Sequence, residues 1–167
     1  STLFPYTTLF RSKINFSELK PITSDLVLIQ MLSPIVLRVH NKENNTDTYL
    51  DHTSPDFNKQ LQIITAAYFK NIGKEMTGGI ILTPIKAKFT VVKCLKLNIP
   101  CSFGTFLLQA DPEVITELYF SGMGSRRSEG FGMFKIKNPN VSTHFFERRK
   151  MSGILYSTEI FPYFAFN

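Results

Sequence analysis

The sequence predicts an α+β domain of ferredoxin-like (RRM-like) plan, β-α-β-β-α-β, with a four-stranded antiparallel sheet carrying two helices on one face. Three observations point there. Ser54-Pro55-Asp56 and Asp111-Pro112-Glu113 both read as helix starts, each followed by an apolar stripe. Between them, from Ile85 onward, apolar residues recur with period two. Apolar runs of strand length flank both helical segments.

The elements follow in order. Residues 26–40 are β-rich, and Pro34 marks the entry to a strand at Ile35–His40. The next stretch, HNKENNTDT at 40–48, is a polar loop. The first helix opens with the Ser54 hydroxyl as cap, proline in the first turn and Asp56 near the positive end of the dipole. Phe57, Leu61, Ile64 and Tyr68 make its buried stripe, and Gly73 stops it. Ile85, Ala87, Phe89, Val91, Leu95 and Leu97 then form the buried face of a long strand. Lys86, Lys88, Thr90, Cys94 and Lys96 form its opposite, basic face. Asn98–Pro100 turns the chain into a strand at Phe103–Gln109. Val114, Ile115, Leu118 and Tyr119 stripe the second helix, and Phe131–Ile136 is the last strand.

A chain of 167 residues, 43% hydrophobic, is long enough for one domain with a real core. No apolar run reaches the roughly 18 residues of a membrane span. The nearest, residues 26–39, is interrupted by Gln30, Ser33, Pro34 and Arg38. Cys94 and Cys101 form no metal pattern and read as buried free thiols of a reducing compartment. Neither metal nor cofactor is expected. Residues 2–12, TLFPYTTLFRS, resemble the in-frame translation of a sequencing-adapter oligonucleotide, so residues 1–12 are excluded from the fold reading. The natural N-terminus is accordingly expected to lie elsewhere, with the chain a piece of a longer protein.

The net charge of +6 is concentrated late in the chain. Between residues 121 and 150, Arg126, Arg127, Lys135, Lys137, Arg148, Arg149 and Lys150 face only Glu129 and Glu147. This is the footprint of a polyanion site. At its centre lies GMGSRRSEGFG, residues 122–132, with glycines at 122, 124, 130 and 132. Phosphate-binding glycine loops normally run from a strand into a helix N-terminus. Here a helix C-terminus leads into the loop, so affinity for an anion has to come from Arg126, Arg127 and turn amides. Two readings stay open for each feature: Arg126 and Arg127 as phosphate contacts or as a solvated pair, Lys86, Lys88 and Lys96 as polyanion contacts or as a solubilising face. Phe131 reads as a core anchor before a base-stacking platform.

Gly-Met-Gly, five residues, then Gly-Phe-Gly resembles the glycine-rich loop of the CRISPR-associated endoribonucleases that process precursor guide RNA, members of the RAMP superfamily. SPIVLR at 33–38, YLDHTSPDFNKQL and FGTFLLQADPEVITELYFSGMGSRRSEGFGMFKI at 103–136 resemble the C-terminal half of that family. The resemblance implies the second of two ferredoxin-like domains, a partner in CRISPR repeat RNA, and metal-independent cleavage by 2′-hydroxyl attack in the cytoplasm. It also implies RNA contacts at Gly122, Gly124, Ser125, Arg126, Arg127, Gly130 and Gly132, joined by Lys86 and Lys88. The family's catalytic histidine usually lies in the first domain. His40 and His52 read as polar residues at strand and loop ends, and His144 lies beyond the matched region, so no catalytic residue is assigned.

The expected organisation is an adapter-like stretch at 1–12, a linker or first-domain remnant at 13–32, the ferredoxin-like domain at 33–136 and a tail at 137–167. Two other functions remain open on the sequence. One is a non-catalytic RNA-binding RAMP subunit of an effector complex. The other is a ligand-sensing or assembly module whose loop only shapes a turn.

Overall fold

The computed structural model describes residues 21–94 and 97–138. The adapter-like stretch, Leu95, Lys96, His144 and the tail from 139 lie outside them. The described elements are β1 (Leu26–Met31), β2 (Leu37–Asn41), β3 (Thr46–Leu50), α1 (Phe57–Asn71), β4 (Ile81–Cys94), β5 (Leu97–Gln109), α2 (Pro112–Ser121) and β6 (Phe134–Asn138). Four of them form an antiparallel sheet in the order β4-β5-β1-β6, while β2 and β3 pair as a separate hairpin. With that hairpin set aside, the order is the expected ferredoxin-like β-α-β-β-α-β.

The first strand is not where the sequence put it. Leu26–Met31 enters the sheet, inside the segment read as linker, while Ile35–His40 leaves it. Only Ile35 keeps a bridge, to Ser102. The remainder of that run becomes β2, paired with Thr46–Leu50 across the stretch expected to be loop. Asn45, at φ 51°, supplies the left-handed residue that the tight connection needs.

One face of the sheet builds the main core. Val27, Ile29 and Met31 of β1 pack with Leu82, Phe106 and Leu108 beneath Phe57, Leu61 and Phe69 of α1 and Val114, Ile115 and Leu118 of α2. Each such side chain is worth roughly 1.5–3 kcal/mol of burial. The α1 stripe is Phe57, Leu61, Thr65 and Phe69, with Ile64 and Tyr68 packed beside it. Thr65 is tolerated there because its hydroxyl donates to the Leu61 carbonyl at 2.8 Å. The helix is capped by backbone alone: the Phe57 amide reaches the Ser54 carbonyl at 3.1 Å, and the expected hydroxyl cap is not made. Gly73, at φ 71°, follows the helix end as expected.

β4 and β5 form one long hairpin that runs on past the other strands. Asn98 and Pro100 do not turn the chain; they pair inside β5 with Lys93 and Val91. The faces are also exchanged toward the hairpin end. Phe89 and Val91, expected to be buried, are 52% and 49% exposed. Val92 and Cys94, on the lysine-bearing face, instead pack into a second cluster with Val36, Ile99, Cys101 and Phe131. Period two fixes which residues share a face, but not what covers it. Here the covering group is the glycine loop. Cys101 is buried as expected, whereas Cys94 is partly exposed; both are free thiols.

Candidate nucleic-acid interface

The glycine loop leaves α2 at Gly122 and is pinned along residues 33–38. The Gly132 amide donates to the Pro34 carbonyl at 2.9 Å, and the Ser125 amide to the Val36 carbonyl at 2.7 Å. In return the Arg38 amide donates to Ser125 Oγ at 3.1 Å, and the Met133 amide to Ser33 Oγ at 2.9 Å. Across the neck of the loop, the Met123 amide donates to the Gly132 carbonyl at 3.0 Å.

All four loop glycines have positive φ, and two are fixed by close backbone approach as well. A Cβ on Gly132 would collide with the Met123 peptide, and one on Gly124 would lie 2.6 Å from the Val36 oxygen. Gly122, Gly124 and Gly132 are buried, while residues 128–130 form the exposed tip. The glycines therefore serve first to let the loop lie flat on the protein's own backbone.

Arg126 and Arg127 do not form a two-pronged clamp. Arg126 sits in the left-handed region at φ 57° with only 16% of its side chain exposed. Its Nη1 donates to both Glu129 carboxylate oxygens at 2.9 and 3.0 Å, and its Nη2 donates to the Tyr49 hydroxyl at 3.0 Å. Glu129 also accepts from the Cys94 thiol at 3.1 Å. That thiol bond, with Arg126 beside it, holds the Glu129 carboxyl below the usual range, and the carboxylate in turn pushes the Cys94 thiol up. Arg127 turns instead to α1, its guanidinium 3.7 Å from the Tyr68 ring centre. The Tyr68 hydroxyl donates to Glu117, which also pairs with Lys74 at 2.6 Å.

Sheet register supplies what the sequence could not. Lys86 lies opposite Thr105, Thr105 opposite Gln30, and Gln30 opposite Lys135. Cross-strand partners share a face, and Gln30 alternates with the core residues Ile29 and Met31. The row Lys86–Thr105–Gln30–Lys135 thus spans all four strands on the face away from the helices. Lys88 is one step along the same face, opposite Phe103 and 5.7 Å from its ring centre. Cys101, against which Phe131 packs, is the next residue of β5 on that face. Lys86, Lys88 and Lys135 are all exposed. The basic row and the Phe131 side of the loop therefore share one face, while Met123 joins the main core and Arg127 reaches α1 on the other. Lys135 and Gln30 were absent from the sequence-predicted contacts because only strand pairing brings them to Lys86.

Neither described histidine has the setting of a general base facing this surface. His40 pairs with Asp47 at 2.9 Å on the exposed β2–β3 hairpin. His52 lies 3.1 Å from Ser102 Oγ, which also accepts its backbone amide at 2.8 Å, and its ring stands edge-on to Phe106.

The ferredoxin-like fold and its glycine-rich loop have a counterpart among known families. Residues 17–136 match the family described as CRISPR associated protein Cas6, C-terminal, and the chain belongs to that family. Among solved structures it is similar to one described as the characterisation of a Cas6-related gene from Pyrococcus furiosus. Identity there is 24% and the TM-score 0.62, over 74% of this chain and 51% of that one. A RAMP protein described as binding different RNA substrates matches with the same identity, TM-score and coverage. A third, described as CRISPR associated protein Cas6, has 21% identity and a TM-score of 0.56, over 70% of this chain and 48% of that one. The chain thus spans about half the length of the structures it resembles. No curated protein sequence matches it.

Proposed function

We propose that this domain binds CRISPR repeat RNA, and that it does so as the binding half of a cytoplasmic guide-RNA-processing endoribonuclease. The observation that carries the reading is the basic row Lys86–Thr105–Gln30–Lys135 on the face that Phe131 and Glu129 of the glycine loop border. Two lysines at the ends of the row suit phosphates, and the amide and hydroxyl between them suit sugar or base edges. The loop tip at residues 128–130 adds an exposed backbone rim at one end of that face. Family membership supplies the substrate class.

Cleavage would be metal-independent attack of a 2′-hydroxyl on the adjacent phosphate, which needs a proton acceptor beside that hydroxyl. Since His40 is engaged with Asp47 and His52 with Ser102, neither is proposed as that acceptor. Fluorescence anisotropy with a labelled RNA hairpin bearing a single-stranded arm tests the binding claim. Affinity should fall steeply with salt, since each phosphate contact releases counterions. Salt-independent or absent binding overturns it. In the same mixture with EDTA the RNA should stay intact; cleavage would place a catalytic group within this chain.

A further inference from the structure

We infer that Glu129 is an internal occupant of an anion site whose cation is Arg126, and that a phosphate must displace it to reach the loop. The inference rests on the RNA-binding reading above and adds a competitor to it. Glu129 presents both carboxylate oxygens to one guanidinium nitrogen, within the oxygen spacing that a phosphodiester also offers. The two residues are three apart, joined by the short 3-10 turn Arg127–Glu129, so the loop carries its own counter-anion. A purely structural arginine would be expected to use its donors fully. Here Nε is buried with no partner among the described residues, so the guanidinium is not saturated by its present contacts.

The surroundings let Glu129 leave. Its side chain is about twice as exposed as that of Arg126, at 33% against 16%. It is followed by Gly130, beside which a Cβ would meet nothing within 4 Å. The Tyr49 hydroxyl holds Nη2 from the other side, so Arg126 stays in place when the carboxylate swings out. The remaining tie is the Cys94 thiol, a weak donor. The acid thus sets a threshold: a lone anion competes poorly with an intramolecular carboxylate, whereas a strand already held by Lys86 and Lys135 delivers its phosphate at high local concentration.

The test compares wild type with Glu129→Gln and Glu129→Asp, each also in an Arg126→Ala background, by anisotropy with the labelled RNA hairpin. Glu129→Gln should tighten binding roughly fivefold and steepen the salt dependence by about one counterion. Glu129→Asp keeps the charge but shortens the reach, and should tighten binding in the same direction. Neither change should have an effect when Arg126 is alanine. No gain in affinity from either variant, or an equal gain in both backgrounds, overturns the inference and leaves Glu129 a strut or a source of general repulsion. If wild type itself fails to bind the RNA at low salt, the RNA-binding reading fails instead.

Discussion

Gly132 and Met123 close the neck of the glycine loop so tightly that a Cβ on Gly132 would overlap the Met123 peptide, while the Met123 amide donates to the Gly132 carbonyl at 3.0 Å. Steric need and backbone conformation act together there. Gly132→Ala should therefore cost more than the ~1–2 kcal/mol of a left-handed alanine alone. Gly130→Ala, with open space beside it, should cost only that conformational term. Thermal unfolding of the two variants measures the difference, and equal losses would mean that the neck contact is unimportant.

Tyr49 ties β3 to the loop through its hydroxyl on Arg126 Nη2. Tyr49→Phe keeps the ring, which lies 5.9 Å from the guanidinium, and removes only the acceptor. The expected loss is about 1.5–3 kcal/mol, that of a hydrogen bond to a charged group. Faster amide exchange should be confined to the loop and β3; an undisturbed exchange pattern would show the contact to be incidental.

Cys94 should be a slow nucleophile. Its hydrogen bond to the Glu129 carboxylate raises the thiol pKa, so less thiolate is present near pH 8 than in an ordinary cysteine. Glu129→Gln removes the anion and should lower that pKa. Alkylation of Cys94 by iodoacetamide should then accelerate, with the buried Cys101 as internal control. An unchanged rate would argue against the thiol–carboxylate contact.

Acid stability should report on Glu117, whose carboxyl is held below its usual range by Lys74 and then by Tyr68. A depressed folded-state value means that its contribution is present at neutral pH and is lost as the pH falls through that value. Glu117→Gln should flatten stability against pH on the acid side and also above the ordinary lysine range, because the same pair raises the Lys74 ammonium, whose contribution is lost as the pH rises through that value. Denaturant unfolding across that range checks the sign.

Helices and strand periods were legible in this sequence because they are local. The Phe57–Leu61 spacing, Gly73 and Asp111-Pro112-Glu113 each name their element without reference to the rest of the chain. The β2–β3 hairpin was not legible: two adjacent apolar runs, 26–31 and 35–40, compete for one place in the sheet, and only packing chooses between them. The same holds for Phe89 and Val91, whose face is fixed by parity but left uncovered because the hairpin outruns the helices. At the site, the glycine spacing identified the loop, yet the arginines' partners, Tyr49 and Tyr68, are 77 and 59 residues away in sequence. Lys135 joined Lys86 only through register.

The central claim is that RNA lies on the sheet face that carries the row Lys86–Thr105–Gln30–Lys135 and is bordered by the loop tip, and ultraviolet cross-linking mapped by mass spectrometry tests it most directly. The expected cross-links fall on β5 around Phe103, on β6 beside Lys135 and on the loop tip at residues 128–130. Cross-links confined to the outer faces of α1 and α2, around Lys59, Lys70 and Phe120, would contradict it.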